Sequence, residues 1–384
     1  MTPLPIAIIG TGHLGRIHTR LLLENPAFEV VAAVDPSAEA RAGVARDFGV
    51  AVLSDYRELA GRIQAAVVAT PTALHHEVAS FLLAAGVHLL VEKPITMTTA
   101  QATALVELAE QHQRVLQVGH VERFNPAFRA ALPYIEQPRY IEATRLAPYK
   151  FRSVDVGVVL DLMIHDLDLV LSTVASPVTS VSAMGATVIG PHEDLARARL
   201  EFANGCVADL SASRVSVQTR RQLQLYSATG HTTIDFDQGS AEHIGLSSTV
   251  RQQSIDPAQV IGEERERLIE RFFEDLLPRQ EIEVPEANAL ADEHHDLATA
   301  IRTGQPVQVP GSDGLNALTV AQQIVDSILR MDEGTRLQVL APMVTHMKGE
   351  HVQIFETART DGFVRVRVDG ETHDLSEELK RKME

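Results

Sequence analysis

Short unbroken apolar runs alternate with amphipathic stretches through the first third of the chain. The runs are Ile6-Ala7-Ile8-Ile9, Val30 to Val34, Ala65 to Ala69, His88 to Val91 and Val115 to Val118. Between them, segments 13–25, 37–48, 73–85 and 98–112 read as helices. A strand that is apolar on both faces needs cover on both faces, so this rhythm predicts a doubly wound parallel sheet of α/β class.

After about residue 121 the rhythm changes. Segments 139–148, 178–188, 196–203, 206–213, 221–228 and 231–236 read as strands, with Asn204-Gly205 and Thr229-Gly230 as turns. Helical patterns return at 263–277, 289–303 and 313–330, the last starting at Ser312-Asp313, which offers capping chemistry. A run of strands after a βα array predicts a second α/β domain with a mostly antiparallel open sheet. The expected organisation is a cofactor domain at 1–121, a substrate and oligomerisation domain at 122–334 and an appendage at 335–384. In the appendage Val364, Val366 and Val368 alternate with Arg365 and Arg367, a strand pattern.

A chain of 384 residues suggests two or three domains, and its 45% of apolar residues is enough to fill real cores. The net charge of −17 argues against a nucleic-acid partner, which needs a basic footprint. The single cysteine, Cys206, excludes an internal disulfide and a cysteine metal cluster, and reads as a packed thiol. With no signal-peptide pattern and no apolar run of membrane length, a cytoplasmic protein without a membrane partner is expected.

Chemistry enters at Gly10-Thr11-Gly12-His13-Leu14-Gly15, a GxGxxG between a strand and a helix. Gly10 permits the tight turn, Gly12 lets the backbone approach a pyrophosphate, and Gly15 lets helix and strand pack closely. The helix N-terminus then offers free N–H groups and a positive dipole end. Asp35 closes the next strand 35 − 15 = 20 residues later. A carboxylate there binds ribose hydroxyls and repels a 2′-phosphate, which favours NAD over NADP.

Two more strand ends, Thr70-Pro71 and Glu92-Lys93-Pro94, lie where open α/β sheets bind ligands. An ammonium in a partly dry cleft stabilises an alkoxide or relays a proton, which makes Lys93 a candidate. Asp161 and His165 are four apart, so a helix would put them on one face, with Asp168 near it. His75 and His76 are adjacent and do not share a helix face, and no metal is expected.

Together these features resemble the Gfo/Idh/MocA oxidoreductases over about residues 4–330. The likeness rests on Gly10 to Gly15, Val67-Val68-Ala69-Thr70-Pro71 with His75, Val91-Glu92-Lys93-Pro94, and Asp161 with His165. The resemblance implies Lys93, Asp161 and His165 as the catalytic set. It places Gly10, Gly12, His13, Leu14, Gly15, Asp35, Thr70, Pro71, His75, Glu92 and Lys93 around the cofactor. It also implies a homodimer or homotetramer formed through the open face of the second sheet.

Met163 stands where many sugar and inositol dehydrogenases of the family carry glycine. Residues 161–168, 119–127 and 211–216 are more similar to a bacterial subgroup that includes UDP-N-acetylglucosamine 3-dehydrogenases. That likeness implies a nucleotide-sugar substrate oxidised at C3. The alternatives are an inositol or free-sugar dehydrogenase, or an NAD-sensing protein without turnover. A diphosphate needs cationic donors, and Arg123, Arg145, Lys150, Arg152, Arg214, Arg220 and Arg221 are candidates. Arg123, Asn125 and Arg214, with Lys93, Asp161 and His165, form the expected substrate set.

Overall fold

The computed structural model describes residues 2–151 and 156–330, and the backbone of 365–368 and 371–374. Two compact units divide the chain, residues 1–331 and 332–384.

The first unit opens with the βα array: β1 (Leu4–Ile9), α1 (His13–Glu24), β2 (Phe28–Val34), α2 (Ala38–Phe48), β3 (Val52–Leu53), β4 (Ala65–Val68), α3 (Thr72–Ala84), β5 (His88–Glu92), α4 (Thr99–Gln111) and β6 (Leu116–Gly119). All pairings are parallel, in the order β3-β2-β1-β4-β5-β6. The apolar runs are buried on both faces. Ala7, Ile9, Val68 and Val91 join one core cluster, while Ile6, Ile8, Val67 and Leu90 join another. The two-residue β3 is too short to leave a periodic signal.

The order reverses between β1 and β4, and the carboxyl ends of β1, β4, β5 and β6 carry the glycine turn, Thr70, Lys93 and His120 respectively. Such a reversal opens a crevice at that edge.

A 3₁₀ turn at Val121–Phe124 leads through α5 (Pro126–Ala131), β7 (Tyr140–Leu146) and α6 (Ile164–Val174) into the second sheet. Its other elements are β8 (Val178–Ala186), β9 (Leu195–Phe202), β10 (Val207–Ser213), β11 (Arg220–Tyr226), β12 (Gly230–Asp235), β13 (Ser240–Gly245), α7 (Ser248–Arg251), α8 (Gly262–Glu270), β14 (Arg279–Ile282), α9 (Ala289–Thr303) and α10 (Gly311–Leu329). The order is β14-β13-β12-β11-β7-β10-β9-β8, antiparallel except for β7 with β10. The expected turns form at Gly205, with φ of 82°, and around Gly230. β13 and β14 were not expected; Ser240–Gly245 has only one fully buried side chain, Ala241, so alternation is weak there.

One face of this sheet packs on α6 and α10 through Ile141, Ala143, Leu223 and Leu225. The other face carries exposed side chains, among them Glu142, Arg197 and Arg199. Helix α9 sets Leu297 and Ala298 against the core of the first sheet. Helix α10 starts at Gly311 after Pro310, without a side-chain cap; Asp313 pairs with Arg123 instead of capping.

In the second unit, the backbone of β15 (Arg365–Val368) pairs antiparallel with β16 (Glu371–Asp374), in line with the valine alternation.

Candidate active site

The glycine turn has the shape its sequence requires. Gly10 has φ of 93°, and a Cβ there would stand 2.5 Å from the Ala69 carbonyl oxygen. A Cβ on Gly15 would overlap the Gly10 carbonyl. Space is open in front of Gly12, and Gly12, His13 and Leu14 are exposed. Helix α1 has no side-chain cap and no acidic residue in its first turn. Its free N–H groups and positive end therefore fit a pyrophosphate. Asp35 lies beside this turn. One carboxylate oxygen accepts from the Thr11 N–H and hydroxyl, both at 2.9 Å, and the other from the Ser37 N–H at 2.9 Å. These bonds fix the carboxylate at the end of β2, where a ribose would lie. The residues present fit a dinucleotide.

The cleft beyond β4 and β5 has a volume of about 280 Å³ and is lined by Thr70, Pro71, Thr72, Lys93, Pro94, Val156, Leu160 and Asp161. The Lys93–Pro94 bond is cis. Lys93 Nζ donates to the Asp161 carbonyl oxygen at 2.7 Å and lies 3.7 Å from the Asp161 carboxylate. Burial lowers the proton affinity of Lys93, and Arg145 adds to this, while Asp161 and Glu92 oppose it. The net direction is downward.

Asp161 sits in a π turn, Val159–Met163, that runs directly into α6. Such turns are frequent at functional sites because they re-aim side chains. His165 follows in the first turn of α6. Its Nδ1 is buried without a hydrogen-bond partner among the described residues. Burial and the charges of Lys93, Arg145, His120 and Arg221 push its proton affinity well below the ordinary histidine value. His165 is therefore a neutral imidazole at pH 7, able to accept a proton.

His75 is buried rather than open to the cleft. Its Nδ1 faces the Pro94 carbonyl at 3.0 Å and its Nε2 the Thr70 carbonyl at 2.9 Å. It joins the two strand-end turns. Glu92 also faces inward: its carboxylate meets His18 Nε2 at 2.8 Å. Both side chains thus bond within the framework of the site.

Several expected substrate cations are likewise consumed by internal carboxylates. Arg123 is 8% exposed and pairs with Asp313 and, at 3.5 Å, with Asp168. Arg145 binds Asp166 at 2.8 Å and Glu122 at 2.9 Å. Arg214 donates to Asp194 and to the Val156 carbonyl, each at 2.8 Å, and its guanidinium lies over the Tyr149 ring. Asn125 caps α5 by accepting from the Ala127 N–H at 3.0 Å and donates to Glu122 at 3.0 Å. A buried guanidinium persists only with such partners. Sequence proximity to the active-site motifs could not reveal the arginine pairs, because the partnering aspartates come from α6, α10 and the β8–β9 connection.

Strand geometry separates the remaining pair. Arg221 shares the helix-facing side of β11 with Leu223 and Leu225, opposite Arg145 on β7, and lowers the proton affinity of His165. Its contact with Asp237 is loose, at 3.6 Å. Arg220 points to the open face and binds Gln222. Lys150 is exposed, and Arg152 lies outside the described residues. His120, to which no role was assigned from sequence, ends β6 beside this cluster. It is 1% exposed, and both ring nitrogens lack partners among the described residues. Burial, then Lys93 and Arg123, push its pKa down to about 3. The one available signal was its place after a buried parallel strand.

A larger depression of about 640 Å³ lies on the open face of the second sheet, among Tyr140, Glu142, Arg197, Arg199, Asp209 and Arg220. It contains none of the cleft residues. Among the described residues, no group of three potential ligands is arranged for a metal, and no helix is long and apolar enough to cross a membrane.

The GxGxxG cradle and the family to which the chain is matched define a nicotinamide-dependent oxidoreductase acting on CH–OH donors. Residues 4–120 match the model described as oxidoreductase family, NAD-binding Rossmann fold, and residues 117–263 match the GFO/IDH/MocA C-terminal domain. The chain belongs to the Gfo/Idh/MocA family. It is 34% identical over 323 residues to UDP-N-acetylglucosamine 3-dehydrogenase of Acidithiobacillus ferrooxidans, covering 83% of this chain and 95% of that one. A solved structure of that enzyme superposes with a TM-score of 0.74 at 31% identity, over 85% of this chain and 98% of the other. Inositol 2-dehydrogenase of Rhizobium meliloti is 26% identical, over 84% of this chain and 96% of its own.

The end of the chain has a different likeness. Residues 320–384 match the UvrA interaction domain model. A 76-residue stretch is 51% identical to UvrABC system protein A of Lactococcus lactis, spanning 20% of this chain and 8% of that protein.

Proposed function

We propose that the protein is an NAD-dependent dehydrogenase that oxidises a sugar-ring hydroxyl of a nucleotide sugar, with UDP-N-acetylglucosamine at C3 as the leading substrate. The observation that carries the chemistry is the meeting of Lys93 and Asp161 in one cleft, with neutral His165 four residues beyond Asp161 and within reach of the charge of Lys93. The substrate rests on the 34% identity to a UDP-N-acetylglucosamine 3-dehydrogenase.

In this reading residues 1–121 hold the cofactor and 122–334 hold the sugar. Gly12, His13, Leu14 and Gly15 offer main-chain groups to the pyrophosphate, and Asp35 takes the adenosine ribose and selects NAD. Bound nicotinamide supplies the hydride acceptor. The chain supplies the proton chemistry. His165 accepts the proton of the ring hydroxyl, and Lys93 stabilises the developing alkoxide with its ammonium. Asp161 holds Lys93 in place through its carbonyl and orients the sugar hydroxyl through its carboxylate. Thr70 and Pro71 line the cleft floor.

With Arg123, Arg145 and Arg214 engaged internally, Arg221 and Lys150 are the cations for the diphosphate. The open face of the second sheet is the homo-oligomer interface in this reading, and the protein works in the cytoplasm.

A free inositol or simple sugar is the second reading, favoured by the internal neutralisation of three of the expected arginines. The test is NADH formation from NAD with UDP-N-acetylglucosamine, other nucleotide sugars, free sugars and inositols. A signal with the nucleotide sugars alone supports the first reading. A signal with free polyols alone replaces it with the second.

A further inference from the structure

Behind the lysine turn runs a buried chain of polar side chains that the proposed chemistry does not use. Glu92 Oε1 meets His18 Nε2 at 2.8 Å, and His18 Nδ1 meets His294 Nε2 at 2.7 Å. The second oxygen of Glu92 accepts from the Lys93 N–H at 3.3 Å. His18 and His294 are fully buried, and Glu92 is 7% exposed. Each link comes from a different element: Glu92 from β5, His18 from α1, His294 from α9. Gly119, the register partner of Glu92 on β6, is part of the fit, since a Cβ there would stand 2.9 Å from Oε2 of Glu92.

We propose that Glu92 and His18 are positioning residues for Lys93, fixing a carboxylate charge behind the lysine turn and joining it to the helix that carries the glycine loop. This rests on Lys93 being the working group of the cleft, as argued above.

A buried carboxylate without a partner would take up a proton. Burial does push Glu92 that way, but His18 and Lys93 outweigh it and hold Glu92 ionised. Since Glu92 is the acceptor, His18 must carry its hydrogen on Nε2. The groups facing Glu92 from the packed elements are His18 on α1, His75 on α3, Lys93 beside it, His120 after β6 and Glu293 on α9, with His294 on α9 behind His18. Glu293 is raised well above the carboxylate range by burial, then by Glu92 and Asp296, and His294 is lowered well below the histidine range by burial, then by His18. Burial thus favours the uncharged form of both, whereas Glu92 is the carboxylate held ionised behind Lys93. On the other side Lys93 faces Asp161 and Arg145. Removing the charge of Glu92 removes one of the two groups that oppose the downward pull of burial on Lys93.

The experiment is competitive acetylation of the full-length protein across pH, with the Lys93 peptide read by mass spectrometry. It needs no substrate, so it decides this inference even if no sugar is turned over. In E92Q the midpoint for Lys93 labelling moves to lower pH by about one unit, at the low end for loss of a nearby opposite charge. H18A moves it the same way, and H18Q, which keeps a donor toward Glu92, restores part of the shift. An unmoved midpoint in folded E92Q overturns the proposal. If circular dichroism shows E92Q unfolded, the H18A and H18Q pair decides: equal midpoints in H18A and wild type overturn it. Where a sugar is turned over, the lysine-dependent limb of the pH–rate profile shifts down with the same midpoint, whether Lys93 acts as ammonium or as amine. A role confined to packing would lower the melting temperature and leave both midpoints in place.

Discussion

Lys93 Nζ donates to the carbonyl oxygen of Asp161 at 2.7 Å and stands 3.7 Å from the carboxylate of the same residue. One residue of the π turn thus holds the lysine through its main chain and keeps its side chain for a second contact. Loss of the ammonium should remove transition-state stabilisation without disturbing the glycine turn. Lys93→Met is expected to lower kcat by about 10²- to 10⁴-fold. NAD affinity, measured by titration calorimetry, should change by less than about threefold, an energy of under 1 kcal/mol. Full turnover in this variant would remove Lys93 from the mechanism.

Arg220 and Arg221 are neighbours in sequence and lie on opposite faces of β11. Arg221→Ala should raise KM for a nucleotide sugar by about 10- to 100-fold, the range for one lost charge-assisted hydrogen bond. Arg220→Ala should leave KM unchanged, because its side chain points to the open face. Steady-state kinetics on both variants test the assignment. Equal effects would place the diphosphate elsewhere.

Asp35 is held by the Thr11 N–H and hydroxyl and by the Ser37 N–H. Asp35→Ser removes the charge that would repel a 2′-phosphate and the acceptors for the ribose. The ratio of kcat/KM for NAD over NADP is expected to fall by about 100-fold, roughly 2.7 kcal/mol. A preference for NADP in the unaltered protein would refute the assigned role.

Asp168 is 2% exposed, and burial, opposed by Arg123, raises its pKa to about 7. The unfolded value is about 3.9. A carboxyl group raised on folding contributes stability that is complete below the unfolded value and is lost as pH rises through the folded value. The melting temperature of the wild type, relative to that of Asp168→Asn, should therefore decline between about pH 4 and pH 7. Paired thermal melts across that range check the sign. A constant difference would mean that Asp168 stays ionised beside Arg123.

The sequence by itself determined the parallel sheet, the glycine turn, Asp35 at the end of the second strand, and the antiparallel character of the second sheet. Each of these is a local property. Apolar runs closed by turn residues, a glycine spacing and a two-residue alternation are set by backbone geometry over a few positions. Lys93, Asp161 and His165 were legible as candidates, since strand-end placement and helical spacing are local too, and the Gfo/Idh/MocA likeness marked the same residues. Tertiary structure alone decided which charged groups are neutralised internally. Arg123 and Arg145 were candidate cations along with Arg221, yet Asp313, Asp168 and Asp166, brought in by α10 and α6, bind the first two. His18 and His294 lie 276 residues apart and meet at 2.7 Å. The cost of burying a charge is settled by whatever partners the fold brings to it, and spacing along the chain carries no record of those partners.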